Sequence, residues 1–348
     1  MFHEGQQLGE YTLVEKLGRG GFGEVWLAET SDGQFAVKLP HKDQINWKQI
    51  TQEINIWMFC GKNLNVLPFI DAKILDGQIV IISEFAPDGS LEDLLREKGS
   101  FSVEKAVEII LGISNGLEHL HKNGIIHRDL KPANILFNGK TPRLADFGIS
   151  RIMTASSSSQ TIAGTFAYMA PECFDGKRNI KTDMWSVGVI LYQMLTGKLP
   201  FPQKEQTMLI GAIIMREPEA LPNFIPDKIC TTVMELLQKN PAERIKTIRY
   251  LRPHLLPFIA LKFSPIVKWV IEQFKKEEGI DLASDKMAVL RIIEEAEKAK
   301  SDLLRRNQTE INLPFISSTP LGPKHFVKQL TLEKFNELIR DSSTLPIE

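Results

Sequence analysis

The stretch His127-Arg-Asp-Leu-Lys-Pro-Ala-Asn134 decides the fold of this 348-residue chain. It places an aspartate, a lysine and an asparagine close together beside a proline, which favours a turn. Asp146-Phe-Gly148 begins 17 residues after Asp129, and Ala170-Pro-Glu172 comes next. Either short string alone means nothing, but all three in this order exclude coincidence.

A glycine-rich string, Gly18-Arg-Gly-Gly-Phe-Gly23, precedes these motifs. The pattern GxGxxG occurs in dinucleotide folds, in other phosphate sites and in plain hairpins. A dinucleotide fold needs a helix after the glycines, whereas residues 24–28 are strand-like and turn at Ser31-Asp-Gly33 into a second strand. Glycines at the tip of a hairpin let the backbone close over a triphosphate. Lys38, on the second strand, would then reach the same phosphates.

Lys38 needs an acidic partner if its side chain points inward, because an unpaired buried charge is costly. Glu53 lies in a segment where Ile50, Ile54 and Trp57 recur at helical spacing. We therefore predict that Glu53 pairs with Lys38. A surface lysine and a solvated glutamate are the ordinary alternative, and the glycine loop at this spacing favours the ion pair.

With these motifs the sequence resembles the eukaryotic-type protein kinase family over roughly residues 11–256. The resemblance implies an α+β, two-lobed kinase fold, with a small β-rich N-lobe at 1–85 and a larger helical C-lobe at 86–256. The hydrophobic pattern predicts matching elements, which are strands at 11–17, 24–28 and 34–39, a helix at 103–120 capped by Ser102, and a buried helix at 183–195.

Phosphoryl transfer explains the residue types in the motifs, because its loose transition state depends on positioning and charge neutralisation. Asp129 is expected to accept a hydrogen bond from the substrate hydroxyl, and Lys131 to reach the transferring γ-phosphoryl group. Asn134 and Asp146 offer oxygen ligands suited to Mg²⁺. The implied cofactors are ATP and Mg²⁺.

The family resemblance implies further structural roles. Asp183 would brace the backbone of the catalytic loop, and Glu172 would pair with Arg244. Thr165 resembles the threonine that contacts the catalytic aspartate and lysine.

The nucleotide pocket also follows from the resemblance. Glu84-Phe-Ala86 would be the hinge between the lobes, whose backbone binds adenine. The small Ser83 would guard the back of the pocket and leave room for bulky inhibitors, although a serine there equally fits ordinary packing. The residues implied to surround ATP are Leu17, Gly18, Arg19, Gly20, Gly21, Phe22, Gly23, Glu24, Val25, Ala36, Lys38, Ser83, Glu84, Ala86 and Leu136.

The string from Asp129 to Asn134 resembles the serine/threonine branch of the family. Arg128 precedes the catalytic aspartate, and kinases with that arginine often need an activation-loop phosphate to neutralise it. Thr161, four residues before Thr165, is the predicted activating phosphosite. Serines 156–159 are secondary candidates, or simply part of a flexible polar loop.

The C-terminal region carries four blocks with a different resemblance, which are Glu277-Glu-Gly-Ile-Asp-Leu282, Ala296-Glu-Lys-Ala-Lys300, Gln308-Thr-Glu-Ile-Asn-Leu-Pro-Phe315 and Gly322-Pro-Lys-His325. In order and spacing they resemble one subdomain of the ATPase of DnaK-type heat-shock chaperones, over 263–341. This implies an additional small α/β module after a connector at 257–262, with a tail at 342–348. Residues 311–315 alternate as a strand would.

Chaperone ATPase chemistry is not expected to carry over to this module. Ile259 and Ala260 stand where the family has paired glycines near the phosphates, and Leu304 replaces a small polar or basic adenine contact. Two interpretations remain open. The module is either a remnant that packs on the kinase, or a mimic that binds chaperone-associated partners such as a nucleotide-exchange factor.

Composition limits the other functions of the chain. Lys and Arg total 42 against 43 Asp and Glu, a net charge of −1, so no overall basic field exists to bind nucleic acid. The apolar run 187–195 is too short to span a membrane, and no signal peptide is visible at the start. Cys60, Cys173 and Cys230 are too dispersed for a metal or disulfide framework. We expect a cytoplasmic enzyme with protein substrates.

A scaffold role is the competing hypothesis. A catalytically dead kinase fold would usually lack Lys38, Asp129 or Asp146, and all three are present. A protein that acts mainly through its C-terminal module stays compatible with the sequence.

Overall fold

The computed structural model describes residues 2–20, 23–41, 47–147, 166–258, 265–303, 305–319 and 322–343. The chain divides into two compact units, unit 1 (Met1–Arg252) and unit 2 (Pro253–Glu348). Within the described residues, no helix has both the length and the apolar character that crossing a membrane requires.

A six-stranded antiparallel sheet forms the N-lobe of unit 1, in the order β1-β2-β3-β4-β6-β5. Its strands are β1 (Gln7–Leu8), β2 (Tyr11–Gly20), β3 (Gly23–Thr30), β4 (Gly33–Pro40), β5 (Phe69–Leu75) and β6 (Gln78–Glu84). Side chains alternate between the two faces. On one face Trp26, Ala28, Val37 and Leu39 are buried in an apolar cluster, which leaves the other face of β3 and β4 to the cleft residues.

One helix, α1 (Trp47–Cys60), interrupts the strands where the apolar spacing predicted it. The Trp57 indole N–H donates to the Leu67 carbonyl at 2.8 Å. Its ring lies 5.8 Å from that of Phe147 in an edge-to-face arrangement. This tryptophan thus joins α1 both to the segment before β5 and to the Asp-Phe-Gly motif.

The C-lobe of unit 1 is helical, as the fold class predicted. Its helices are α2 (Leu91–Lys98), α3 (Val103–Lys122), α4 (Ile180–Thr196), α5 (Gln206–Met215), α6 (Asp227–Leu236) and α7 (Arg252–Leu255), the last crossing the unit boundary. The Ser102 side chain caps α3 by accepting from the Lys105 backbone N–H, so the predicted N-cap is confirmed. Nearly every residue of α4 is buried, and Gly197 ends it at a φ of 71°, where glycine carries no steric penalty.

A short hairpin, β7 (Ile135–Asn138) and β8 (Thr141–Leu144), carries the chain from the catalytic motif to Asp146. Leu144 accepts from Leu67 N and donates to the Asn65 carbonyl, both at 2.9 Å. The Asn65 side chain also donates to the Pro142 carbonyl at 2.8 Å. These bonds fix the end of β8 against the N-lobe, so Asp146 emerges beside the sheet.

Unit 2 consists of α8 (Pro265–Glu278), α9 (Lys286–Leu303), β9 (Gln308–Thr319), β10 (Gly322–Thr331) and α10 (Leu332–Ser343). Strands β9 and β10 form an antiparallel hairpin. One face of each element buries apolar residues in a separate core, including Phe274, Ile292, Ile311 and Phe326. The α/β character expected of this module and the strand predicted at 311–315 are therefore present.

The strand alternation predicted for 311–315 fails at its last residue. Ile311 and Leu313 are buried, but Phe315 is 67% exposed and Ile316 is buried in its place. Phe315 has a φ of 52°, and the register with β10 shifts between Lys324 and Phe326. Across this irregularity β9 advances four residues, from Leu313 to Ser317, while β10 advances two, so the β9 residues between them do not keep the simple alternation that the sequence pattern predicted.

Candidate active site

Lys38 is positioned by the centre of the N-lobe sheet, where it lies opposite Val25 of β3 and Ile81 of β6. Only 14% of its side chain is exposed, and its Nζ lies 2.9 Å from Oδ1 of Asp146. The sheet thus delivers an ammonium group to the segment that follows β8. This brings together two predicted site residues that are 108 positions apart in sequence.

The predicted partner of Lys38, Glu53, belongs to α1. Its side chain lies outside the part of the chain that the structure describes, so the Lys38–Glu53 pair stays a prediction.

Asp146 adopts a φ of 55°, a conformation that costs a non-glycine residue free energy and that the surroundings must enforce. Burial acts to raise the pKa of its carboxyl group. The charges of Lys38 and Lys131, together with the Lys38 hydrogen bond, outweigh burial and hold the pKa below its ordinary value. Asp146 is therefore a carboxylate, the form in which it can bind a cation.

The catalytic loop is held by one buried carboxylate, Asp183 at the start of α4. It accepts hydrogen bonds from the backbone N–H groups of His127 and Arg128, both at 2.9 Å. His121 Nε2 contacts the same carboxylate at 2.8 Å. Arg128 has a φ of 71°, so these bonds secure a strained turn directly before Asp129. The bracing role that the resemblance implied for Asp183 matches this geometry.

Asp129, Lys131 and Asn134 form a bonded cluster on the same loop. Lys131 Nζ and Asn134 Nδ2 donate to Asp129 Oδ2, at 2.9 and 3.1 Å. Asn134 Nδ2 also donates to the Asp129 carbonyl at 2.7 Å. Because both contacts use the amide nitrogen, the Asn134 oxygen Oδ1 is left for a ligand. The cluster offers a carboxylate, a cation and an amide oxygen beside the Lys38–Asp146 pair.

His127 is fully buried, and its ring lies 6.2 Å from the Phe147 ring. Burial lowers the pKa of His127, although nearby carboxylates act to raise it. The imidazole is therefore neutral and packs as part of the core.

The hairpin of β2 and β3 positions the first of the residues predicted to surround ATP. A Cβ atom on Gly23 would lie 2.2 Å from the Leu39 carbonyl oxygen, so only glycine allows the strands to approach here. Val25 and Ala36 lie on the same face of the sheet as Lys38 by the strand register, and Ala36 is buried.

Glu24, which the resemblance placed among the residues around ATP, turns its side chain away from Lys38, because in β3 it lies opposite Leu39. Its side chain is thus not directed at the predicted pocket, and an ATP contact through its backbone stays a prediction. Its carboxylate accepts from Lys16 Nζ at 2.5 Å and from Trp26 Nε1 at 3.1 Å, and these contacts keep its pKa low. The side chain of Glu24 therefore stabilises the outer layer of the sheet.

The hinge candidates follow β6. Ser83 is buried and lies opposite Ala36. Glu84 turns its carboxylate to the C-lobe, where Arg143 Nη1 lies 2.6 Å and Asn138 Nδ2 3.0 Å away. Ala86, Leu17 and Leu136 are partly or fully exposed, as the walls of an open cleft would be.

Glu172 and Arg244 form the buried ion pair that the resemblance implied. Arg244 Nη1 and Nη2 donate to the two carboxylate oxygens at 2.7 and 2.8 Å. The guanidinium also lies 5.0 Å from the Trp185 ring. The pair anchors the Ala-Pro-Glu motif to the C-lobe core.

Several predicted residues lie outside the described part of the chain. They are Gly21, Phe22, Gly148, the serines 156–159, Thr161 and Thr165.

Sequence reasoning missed His121 and Arg143. Both support the site through carboxylates that were predicted, Asp183 and Glu84. No spacing rule links them to these partners, because the contacts arise only when α3 and the β7–β8 hairpin pack against other elements.

Comparison with known families gives two matches. The protein kinase domain family matches residues 11–255. The Hsp70 protein family matches residues 263–344.

Individual relatives agree with the first match. The chain is 33% identical over 253 residues to an Aurora kinase of Schizosaccharomyces pombe, covering 70% of this chain and 71% of that protein. It is 32% identical over 233 residues to the serine/threonine-protein kinase STY17 of Arabidopsis thaliana, covering 65% of this chain and 40% of that one. For the serine/threonine-protein kinase ATG1a of the same plant the identity is 32% over 252 residues, with 68% and 40% covered.

Proposed function

The chain belongs to the protein kinase family, with a serine/threonine protein kinase domain at residues 11–255, and from that premise we propose how its residues transfer the γ-phosphoryl group of ATP to protein hydroxyls. The observation that carries the proposal is that the Lys38–Asp146 pair adjoins the cluster of Asp129, Lys131 and Asn134: the Ala145 N–H donates to the Asn134 carbonyl at 2.9 Å, and the Lys131 charge acts on Asp146. These groups supply positioning and charge, which phosphoryl transfer chiefly needs.

Each residue has a distinct task in this proposal. Asp129 accepts a hydrogen bond from the substrate hydroxyl and orients its oxygen toward the γ-phosphorus. Lys131, whose Nζ lies 2.9 Å from Asp129 Oδ2, neutralises negative charge on the γ-phosphoryl group as it is transferred. Lys38 holds the phosphates from the side of the sheet, while Val25 and Ala36 support the adenine ring.

The donor set fits magnesium. Asn134 Oδ1 and the Asp146 carboxylate are hard oxygen ligands, and Mg²⁺ usually combines one or two of these with phosphate oxygens. Within the described residues, no cluster of three His, Cys, Asp or Glu side chains could hold a metal alone, so the nucleotide would complete the coordination. When bound, Mg²⁺ neutralises charge on the phosphate oxygens.

Mass spectrometry of the recombinant protein with ATP and Mg²⁺ tests this function directly. We expect added phosphate on serine or threonine, and none in the Asp129→Asn variant or when EDTA replaces the metal. Adding Mn²⁺ after EDTA and measuring phosphate incorporation shows how specific the reaction is for Mg²⁺. Phosphate on Asp129→Asn at the wild-type level would contradict the assigned role.

Activation by phosphate on Thr161 is part of the proposal. Arg128 is held beside Asp129 by backbone bonds to Asp183, where its cation is suited to an activation-loop phosphate. An inactive Thr161→Ala enzyme supports this regulation, and undiminished activity removes it. Ser156→Ala tests the secondary candidate site, and Thr207→Ala, which removes a threonine hydroxyl from α5 in the C-lobe, is the matched control.

We also propose a cytoplasmic location. Cys60, Cys173 and Cys230 are all free thiols in the described structure, as is usual in a reducing compartment. Co-fractionation with a secretory compartment would overturn this.

A second candidate function is recruitment of chaperone-associated proteins by unit 2. The Hsp70 family match and the separate apolar core of this unit support it. A purified nucleotide-exchange factor should bind the full chain and not a chain that ends at residue 258. If recruitment is the main output, deleting unit 2 abolishes the cellular effect while Asp129→Asn preserves it.

A further inference from the structure

Phe315 of unit 2 combines two unfavourable features. Its ring is 67% exposed, and its backbone has a φ of 52°, which is an outlier for a bulky residue. Glycine would remove both costs. Backbone strain of this kind clusters at binding and active sites, so this outlier motivates a hypothesis of function.

The strained backbone is fixed by neighbours on two elements. The Arg291 guanidinium, on α9, donates to the Phe315 carbonyl at 2.7 Å and also to the Pro314 carbonyl. The Phe315 N–H donates to Nδ1 of His325 at 3.0 Å. The Phe315 and His325 rings meet edge to face with centroids 4.7 Å apart. The bulge therefore presents one aromatic ring to solvent in a single orientation.

The charge around this ring indicates what would cover it. Arg291 uses its guanidinium for backbone carbonyls, and no described residue offers it a carboxylate. A cation with no carboxylate partner among the described side chains thus lies beside an exposed aromatic ring. Aromatic and arginine side chains are the residues that most often dominate binding at protein interfaces.

We propose that Phe315 and Arg291 form the anchor through which unit 2 binds a folded protein that has an apolar pocket bordered by carboxylates. The ring fills the pocket, and Arg291 pairs with the rim. Because the ring is held in place before binding, little side-chain entropy is lost on association. The inference rests on the proposed recruitment function and assigns it to particular residues.

The test uses the full chain with a purified nucleotide-exchange factor as probe and calorimetry as the readout. Phe315→Gly should weaken binding at least tenfold, while the melting temperature of unit 2 stays unchanged or rises because the strained φ is relieved. Arg291→Ala should weaken binding with Phe315 still present. Ile339→Ala, which shortens another exposed apolar side chain of this unit, should bind as the wild type does.

The outcomes separate the inference from the function on which it rests. If the wild type binds and Phe315→Gly binds equally well, the anchor is wrong and recruitment stands. If the wild type fails to bind, both fail for this partner. A fall in the melting temperature of Phe315→Gly would show that the ring serves the fold instead. Concentration-dependent self-association that Phe315→Gly abolishes would assign the anchor to a second copy and overturn the partner proposed.

Discussion

In the part of the chain that the structure describes, unit 1 buries charged side chains and unit 2 buries none. Among the described residues, all the buried polar or charged side chains, including Asn134, Glu172, Asp183 and Arg244, belong to unit 1. The core of unit 2 is apolar throughout its described positions. Removing a charge from water is costly unless partners compensate. Unit 1 accepts that cost where loops must be held for chemistry, whereas the described polar groups of unit 2 are at least partly exposed to solvent.

Removing the ammonium group of Lys38 should have the largest effect, a loss of phosphoryl-transfer activity. Lys38→Met is expected to lower phosphoryl transfer on the order of 10²–10³-fold, because one preorganised charge facing the phosphates is lost. Initial rates with a generic protein substrate measure it. Lys73→Met, which removes an exposed lysine from the same sheet, should retain the wild-type rate. Equal losses in both variants would contradict the special position of Lys38.

Breaking the buried ion pair between Glu172 and Arg244 should destabilise unit 1 and leave the stability of unit 2 unchanged. Arg244→Ala leaves Glu172 as an uncompensated buried carboxylate, at a cost of about 3–5 kcal/mol. Urea unfolding of the full chain, followed by probes in each unit, should show only the unit 1 transition shifting. Arg96→Ala breaks an exposed pair with Asp93 and should cost less than about 1 kcal/mol.

The stability of unit 2 should depend instead on how well its apolar side chains fill the core. Ile311→Ala removes a fully buried side chain and should lower the free energy of unfolding by about 2–5 kcal/mol. The loss should be insensitive to salt, and kinase activity should persist. A salt-dependent loss would show that the core of unit 2 depends on charge after all.

Replacing Lys239 should have the smallest effect of these changes, and the effect should appear only in the pH dependence of stability. Its Nζ donates to the Ile213 carbonyl at 2.7 Å and lies 5.0 and 4.3 Å from the Trp185 and Phe201 rings. Burial lowers its pKa to about 8 from the ordinary 10.5. Between these values the unfolded chain binds a proton that the folded chain lacks, so this lysine adds stability as the pH rises.

Lys239→Met should therefore lose that dependence. The stability difference between wild type and variant should grow in favour of the wild type from pH 8 to pH 10, measured by urea unfolding. A constant difference would mean that the aromatic rings keep the ammonium charged.

Much of unit 1 could be predicted from sequence because its motifs encode local structure. The Ser102 cap, the strands around the glycine loop and the helix at Asp183 follow from neighbouring residues. The residues near Asp129 also form one cluster because they share one loop.

The remaining features depend on contacts between distant segments. Strand alternation by itself places Glu24 on the face away from Lys38, but the family pattern grouped it with ATP. Arg143 and His121 gain partners only through packing. The bulge at Phe315 needs Arg291 and His325 together, and the sequence of β9 alone does not indicate it.

The separation of Lys38 from Asp146 also has a consequence during synthesis. The pair closes a loop of 108 residues, and long loops close late because their entropy must be lost first. A nascent chain that has emerged only through its N-lobe still lacks Asp129, Asn134 and Asp146, to which we assign catalysis and metal binding. Catalysis can begin only after translation has passed the Asp-Phe-Gly segment, whereas the β9–β10 hairpin can form within moments of leaving the ribosome.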